Sequence, residues 1–128
     1  MDENESPMLH SANLLEEAAH DLACGTRAID RPYDSYVLLG RLTSAQRMLA
    51  QAFEQLADWH SRVIDGVQYN GEDGFATGSA SGVIRAELAL RDAADLTGKV
   101  EDSLMLAHGA NGVVRWFDED NHEVPSPS

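Results

Sequence analysis

The residues of this chain that are best placed to do chemistry together are Glu17, His20 and Cys24. Their spacings of three and four residues would bring them to one face of a helix. Glu-x-x-His is also the spacing at which one helix of a carboxylate-bridged di-iron bundle presents its ligands. With Glu54, these residues are the candidate metal ligands. Because only one Glu-x-x-His pair lies within a predicted helix, whereas di-iron bundles have two, a solvated polar face is the favoured interpretation.

The sequence gives less support for catalysis than for metal binding. A cysteine nucleophile needs a positioned base and an oxyanion site, and Cys24 has only His20 one turn away. The glycine-rich run 66–82 matches neither a P-loop, nor a dinucleotide-binding pattern, nor an EF-hand. A single cysteine also excludes an intrachain disulfide and a multi-cysteine zinc site. We therefore expect no cofactor, and catalysis is the less favoured interpretation.

His60 and Glu87 form one further candidate pair. Both occupy the same heptad position in neighbouring predicted helices, so antiparallel packing is expected to bring them together near the connecting loop. An ordinary stabilising contact is the favoured interpretation, and a pH-sensitive latch is the alternative.

Length and charge limit the class of protein. The chain has 128 residues, 43% of them hydrophobic, with 22 acidic and 9 basic residues and a net charge of −13. This suits one soluble domain with a real core. The acidic charge disfavours direct nucleic-acid binding. No run is long enough for a membrane span, and the acidic N-terminus resembles no signal peptide. We expect a cytoplasmic protein. An acidic decoy of nucleic acid that binds another protein is an alternative.

The pattern of breakers and apolar residues predicts an all-α fold with three helices. Ser6-Pro7 reads as an N-cap followed by proline at the first helical position. The helices are expected at about 7–24, 35–65 and 81–108, with the last two forming a long antiparallel hairpin. The whole would be a three-helix bundle or half of a dimeric four-helix bundle. The domain should cover 7–117, between a disordered acidic N-terminus (1–6) and a disordered acidic tail (118–128).

The strongest signal is a heptad repeat that places large residues at one core position and small ones at the other. In the second helix its members are Leu38, Leu42, Ala45, Leu49, Ala52, Leu56, Trp59 and Val63. In the third helix they are Val83, Ala86, Leu90, Ala93, Thr97, Val100, Leu104 and Ala107. Antiparallel pairing then sets each leucine against an alanine. The predicted register puts Leu56 opposite Ala93, Leu42 opposite Ala107 and Ala45 opposite Leu104.

Several apolar residues fall outside this repeat or beyond the hairpin, and we predict that they form an interaction surface. They are Leu39, Met48, Phe53, Leu88, Leu96, Met105, Trp116 and Phe117. The first helix is too short to cover them all, and a large exposed apolar patch is unusual for a soluble monomer. The sequence therefore predicts a non-catalytic protein that acts through protein–protein association. A homodimer is expected, and a different protein partner is the alternative.

Overall fold

The computed structural model describes residues 4–64, 66–69 and 81–117, which contain three α-helices. These are α1 (Pro7–Gly25), α2 (Asp34–Arg62) and α3 (Ser81–Asn111). The predicted all-α fold is confirmed, with every predicted helix end within three residues of its observed position. Most of the predicted loop and the predicted acidic tail lie outside the described residues.

Helix α1 begins where the sequence indicates. The Ser6 hydroxyl accepts a hydrogen bond from the Leu9 amide at 3.1 Å, and Pro7 is the first helical residue. At the other end, Gly25 is the last helical residue, and Thr26 caps the helix. The Thr26 amide and hydroxyl both donate to the Leu22 carbonyl, at 2.9 and 2.8 Å. These bonds satisfy a carbonyl that the helix end would otherwise leave unpaired.

Residues Tyr36–Arg115 form one compact unit, and α1 belongs to another. Within the first unit, α2 and α3 pack antiparallel. Arg47 Nε lies 2.7 Å from Glu101 Oε2, and Arg91 Nη2 lies 3.1 Å from Asp58 Oδ1. Both ion pairs agree with the predicted register to within one residue.

The faces through which α2 and α3 meet differ from the predicted heptad. We call the seam the buried and half-buried positions that recur every three or four residues in line with the buried residues Thr43, Ala57 and Ala94. In α2 the seam is Leu39, Thr43, Gln46, Ala50, Phe53, Ala57 and His60. In α3 it is Val83, Glu87, Leu90, Ala94, Thr97, Glu101, Leu104 and His108. The seam of α2 thus lies one residue after the predicted positions, of which Leu38, Leu42, Ala45, Leu49 and Ala52 are also half-buried.

Two predicted core positions of α2 are exposed as a result, since Leu56 keeps 43% and Trp59 49% of its surface in solvent. In α3, the predicted positions Val83, Leu90, Thr97 and Leu104 lie in the seam, whereas Val100 and Ala107 are exposed and Ala86 and Ala93 are half-buried beside it. The reason is that α2 contains adjacent apolar pairs, such as Leu56 and Ala57. Either member completes a heptad, and the smaller one lets the backbones approach more closely.

Few residues at the centre of the seam are fully buried. Among the described residues only Ala57, Ala94 and Thr43 are buried, at 0%, 4% and 7% exposure. The Thr43 hydroxyl donates to the Leu39 carbonyl at 2.8 Å, which satisfies it inside the helix. Stability of the hairpin therefore depends on the closeness of this contact.

Replacing Ala57 by leucine should overpack the seam and lower the free energy of unfolding by ~1 to 3 kcal/mol. Urea unfolding followed by circular dichroism measures the change. Gln51→Leu, at an exposed position on the same helix, is the control and should fall within ~0.5 kcal/mol of the wild type. Equal effects of the two substitutions would show that Ala57 is not at a close contact.

Candidate functional site

The predicted metal ligands of α1 are all exposed to solvent. Glu17 and His20 line a depression on the helix surface together with Glu16 and Asp21. Cys24 Sγ lies 3.8 Å from His20 Nε2. The fourth candidate, Glu54, is exposed on α2. Within the described parts of the chain, no three His, Cys, Asp or Glu side chains are grouped so that they could hold a metal ion.

His60 and Glu87 have other partners than each other. His60 Nδ1 donates to the Leu56 carbonyl at 2.8 Å, which requires the proton to be on Nδ1. Glu87 accepts two hydrogen bonds from Arg91, at 2.9 and 3.2 Å. Arg91 reaches Glu87 because it lies one turn further along α3, and it also reaches across to Asp58. These hydrogen bonds, the one to Glu87 first, raise the pKa of Arg91. The predicted pair is therefore replaced by an arginine bridge.

A cluster of residues that the sequence did not predict lies at the end of the hairpin remote from the connecting loop. The ring of His108 stacks on that of Tyr36, with centroids 4.3 Å apart and planes 20° apart. A Cβ atom at Gly40 would lie 3.1 Å from His108 Nε2, and one at Gly112 would lie 3.1 Å from Tyr36 Cε1. The two glycines thus leave room for the stacked rings. The available signal was Gly40 itself, because glycine inside a long helix costs about 1 kcal/mol relative to alanine.

One side of the hairpin carries its ion pairs. Arg47, Asp58 and Arg91 each lie one residue after a seam position, and Asp58 and Arg91 meet across the two helices. Residues that follow the seam in α2 and in α3 therefore lie on a common side. In an antiparallel pair, the residues that precede the seam must then share the opposite side.

Among the described residues of α2 and α3, that opposite side has no charged residue, and we call it the charge-free face. From α2 it takes Leu38, Leu42, Ala45, Leu49, Ala52, Leu56 and Trp59. From α3 it takes Gly82, Ala86, Ala89, Ala93, Leu96, Val100, Ser103, Ala107 and Ala110. This is largely the repeat that the sequence analysis assigned to the contact between the helices. Its exposed large members are Leu56, Trp59, Leu96 and Val100, with 43%, 49%, 52% and 45% of their surface in solvent.

The residues predicted to form an interaction surface do not share one face. Leu39 and Phe53 are half-buried in the seam, and Leu96 lies on the charge-free face. The exposed residues Met48, Leu88 and Met105 lie elsewhere on the hairpin, and Trp116 and Phe117 belong to the other compact unit. Apolar residues outside the predicted repeat therefore lie on several sides of the hairpin, whereas the repeat itself supplies Leu56, Trp59 and Val100 of the charge-free face.

No family model matches the chain, and neither a curated protein nor a solved structure matches it significantly. None of the helices among the described residues is long and apolar enough to cross a membrane.

Two glycine-to-alanine substitutions separate helix propensity from the packing of His108. A Cβ at Gly98 would meet no atom within 4 Å, so Gly98→Ala should stabilise the protein by ~0.5 to 1 kcal/mol. Gly40→Ala gains the same propensity but must displace the imidazole. It should therefore stabilise by at least ~0.5 kcal/mol less, as measured by urea unfolding.

The double variant Gly40→Ala/His108→Ala, compared with His108→Ala alone, provides the control. Removal of the imidazole should restore the full gain from alanine at position 40. If Gly40→Ala stabilises as much as Gly98→Ala in the wild-type background, His108 does not press against α2 there.

Proposed function

We propose that this chain is a non-catalytic acidic helical protein that acts by association with a protein surface through its charge-free face. The observation that carries this proposal is the set of half-exposed large side chains, Leu56, Trp59, Leu96 and Val100, on one uncharged side of the hairpin. In a chain in which 24% of residues are charged, an uncharged side of this length has a cost in solubility unless it is covered.

The energetics of burial support the same conclusion. Full burial of a large apolar side chain is worth about 1.5 to 3 kcal/mol. Since these four side chains are about half exposed, roughly 1 kcal/mol of burial remains available at each. Within the hairpin itself, the buried residues of the described chain are two alanines and a threonine. An additional apolar surface would therefore supply stabilisation that the hairpin lacks.

A second copy of the chain is the partner we expect, which makes the protein a homodimer. A twofold arrangement presents the same face from both chains, so that one apolar surface covers the other. The net charge of −13 per chain opposes association, but charges far from the uncharged face are screened beyond about 8 to 10 Å at ordinary salt.

Light scattering at micromolar concentration tests the proposal. The wild type should have twice the mass of the 13.9 kDa chain. Leu96→Glu places a carboxylate on the charge-free face of each copy, where burial leaves it without a partner. The substitution should weaken association at least ~100-fold, or about 2.8 kcal/mol, and return the mass to that of one chain.

Leu88→Glu is the matched control, since it makes the same change on the same helix at a residue with 62% exposure that follows the seam on the side of the ion pairs. Its mass should equal that of the wild type. A wild-type mass of 13.9 kDa that persists on concentration contradicts the homodimer. Equal loss of association in both variants contradicts the assignment to this face.

A further inference from the structure

We infer that the charge-free face is covered by the same face of a second chain, with α2 of each copy lying over α3 of the other. This inference rests on the proposed function and adds to it the arrangement of the two chains. Its basis is the distribution of side-chain size over the face, together with the register of the hairpin.

The two helices contribute opposite shapes to the face. Helix α2 presents mainly large side chains, with alanine only at positions 45 and 52. Helix α3 presents mainly glycine, alanine and serine, with Leu96 and Val100 as its large residues. On this face, the large side chains of α2 thus form a ridge, and the small side chains of α3 form a groove. A ridge packs best into a groove, and the chain that supplies one also supplies the other.

A twofold axis parallel to the helices produces this arrangement. Rotation by 180° about such an axis places α2 of the second chain opposite α3 of the first. It leaves the height of every residue along the helix axis unchanged. Residues that share a level within the hairpin therefore share a level between the chains. The ion pairs Arg47–Glu101 and Asp58–Arg91 fix those levels.

The resulting neighbours are complementary in size. Trp59 lies at the level of Ala89, and Leu56 at the level of Ala93. In the opposite sense, Ala52 lies at the level of Leu96. Further along, Ala45 and Ser103 are both small and share a level. The next level holds the two large residues Leu49 and Val100, which can fill the space that the small pair leaves. Large side chains thus meet small ones over most of the face, as dense packing requires.

A twofold axis perpendicular to the helices gives a poorer fit. It would lay α2 on α2 and α3 on α3, so that leucines meet leucines while the alanine-rich helices face each other. A gap between small side chains loses dispersion contacts, and crowding between large ones strains their rotamers. The parallel axis avoids both costs.

The size of the face is also sufficient. The 29 residues of α2 span about 43 Å at ~1.5 Å per residue, and two adjacent helices are about 20 Å wide. The face therefore offers up to about 900 Å² per chain, close to the ~800 Å² per partner of a standard stable interface. The charged side chains other than Glu87 and Glu101 of the seam stay on the outside of the resulting four-helix core, so that the acidic surfaces of the two copies remain in solvent.

Disulfide trapping between two single-cysteine chains tests this arrangement. In a Cys24→Ser background, one chain carries Ala45→Cys on α2 and the other carries Ser103→Cys on α3. Both changes are between small residues and preserve the large ones. When the two chains are mixed, unfolded, refolded and oxidised, we expect a covalent dimer on a non-reducing gel, in at least tenfold excess over either chain treated alone.

Gln51→Cys mixed with Asp95→Cys is the matched control, because both positions follow the seam on the side of the ion pairs. This mixture should give no covalent dimer. Addition of Leu96→Glu to the Ser103→Cys chain should abolish the product of the first mixture. A covalent dimer formed by Ala45→Cys alone, at the level of the mixture, would overturn the inference in favour of α2 lying on α2.

The failure of this inference is distinguishable from that of the proposed function. If light scattering gives a dimer that Leu96→Glu dissociates but the mixture does not cross-link, the face is used with a different arrangement, and the inference is wrong. If the wild type is a monomer at every concentration, the homodimer itself is contradicted.

Discussion

Close approach of two long helices through alanine is the constraint on which the rest of this structure depends. At Ala57 and Ala94 the seam contains methyl groups where an ordinary helical pair contains leucines. Small residues let two backbones come near each other, and a near contact fixes the rotation of each helix about its axis. Once that rotation is set, Leu56 and Trp59 of α2 are directed to one side of the hairpin, and the ion-paired residues Arg47 and Asp58 to the other.

The two sides of the hairpin consequently have different physical roles. The side with Arg47, Asp58 and Arg91 determines how the helices are aligned along their length, because charged groups of opposite sign attract only at matching levels. Each ion pair is partly exposed, so its contribution to stability is small. The charge-free face has few such directional contacts, and its energetic contribution comes from the area that a partner can cover.

The sequence was sufficient for the helices and their register but not for their rotation. Ser6 and Pro7 marked the start of α1, and the length of the connection limited the register of α2 and α3. The rotation predicted for α2 was wrong at its loop end, where Leu56 and Trp59 are exposed and Ala57 is buried. Leu56 and Ala57 belong to two overlapping stripes, of which the more hydrophobic one was predicted and the other contains the buried residues. The choice between them depends on backbone distance, which hydrophobic periodicity does not encode. The stacking of His108 on Tyr36 was missed for a related reason, since it depends on the space above Gly40.

The contacts of the hairpin also differ in how far apart their residues are along the chain. Asp58 and Arg91 are 33 residues apart, and Arg47 and Glu101 are 54 apart, while Tyr36 and His108 are further apart still. Loop closure becomes more costly as the closed segment lengthens, although slowly. In such a hairpin, α2 and α3 are expected to pair first next to the segment that connects them and last at the opposite end. The stacked rings at the far end would then form late and open first when the native state fluctuates.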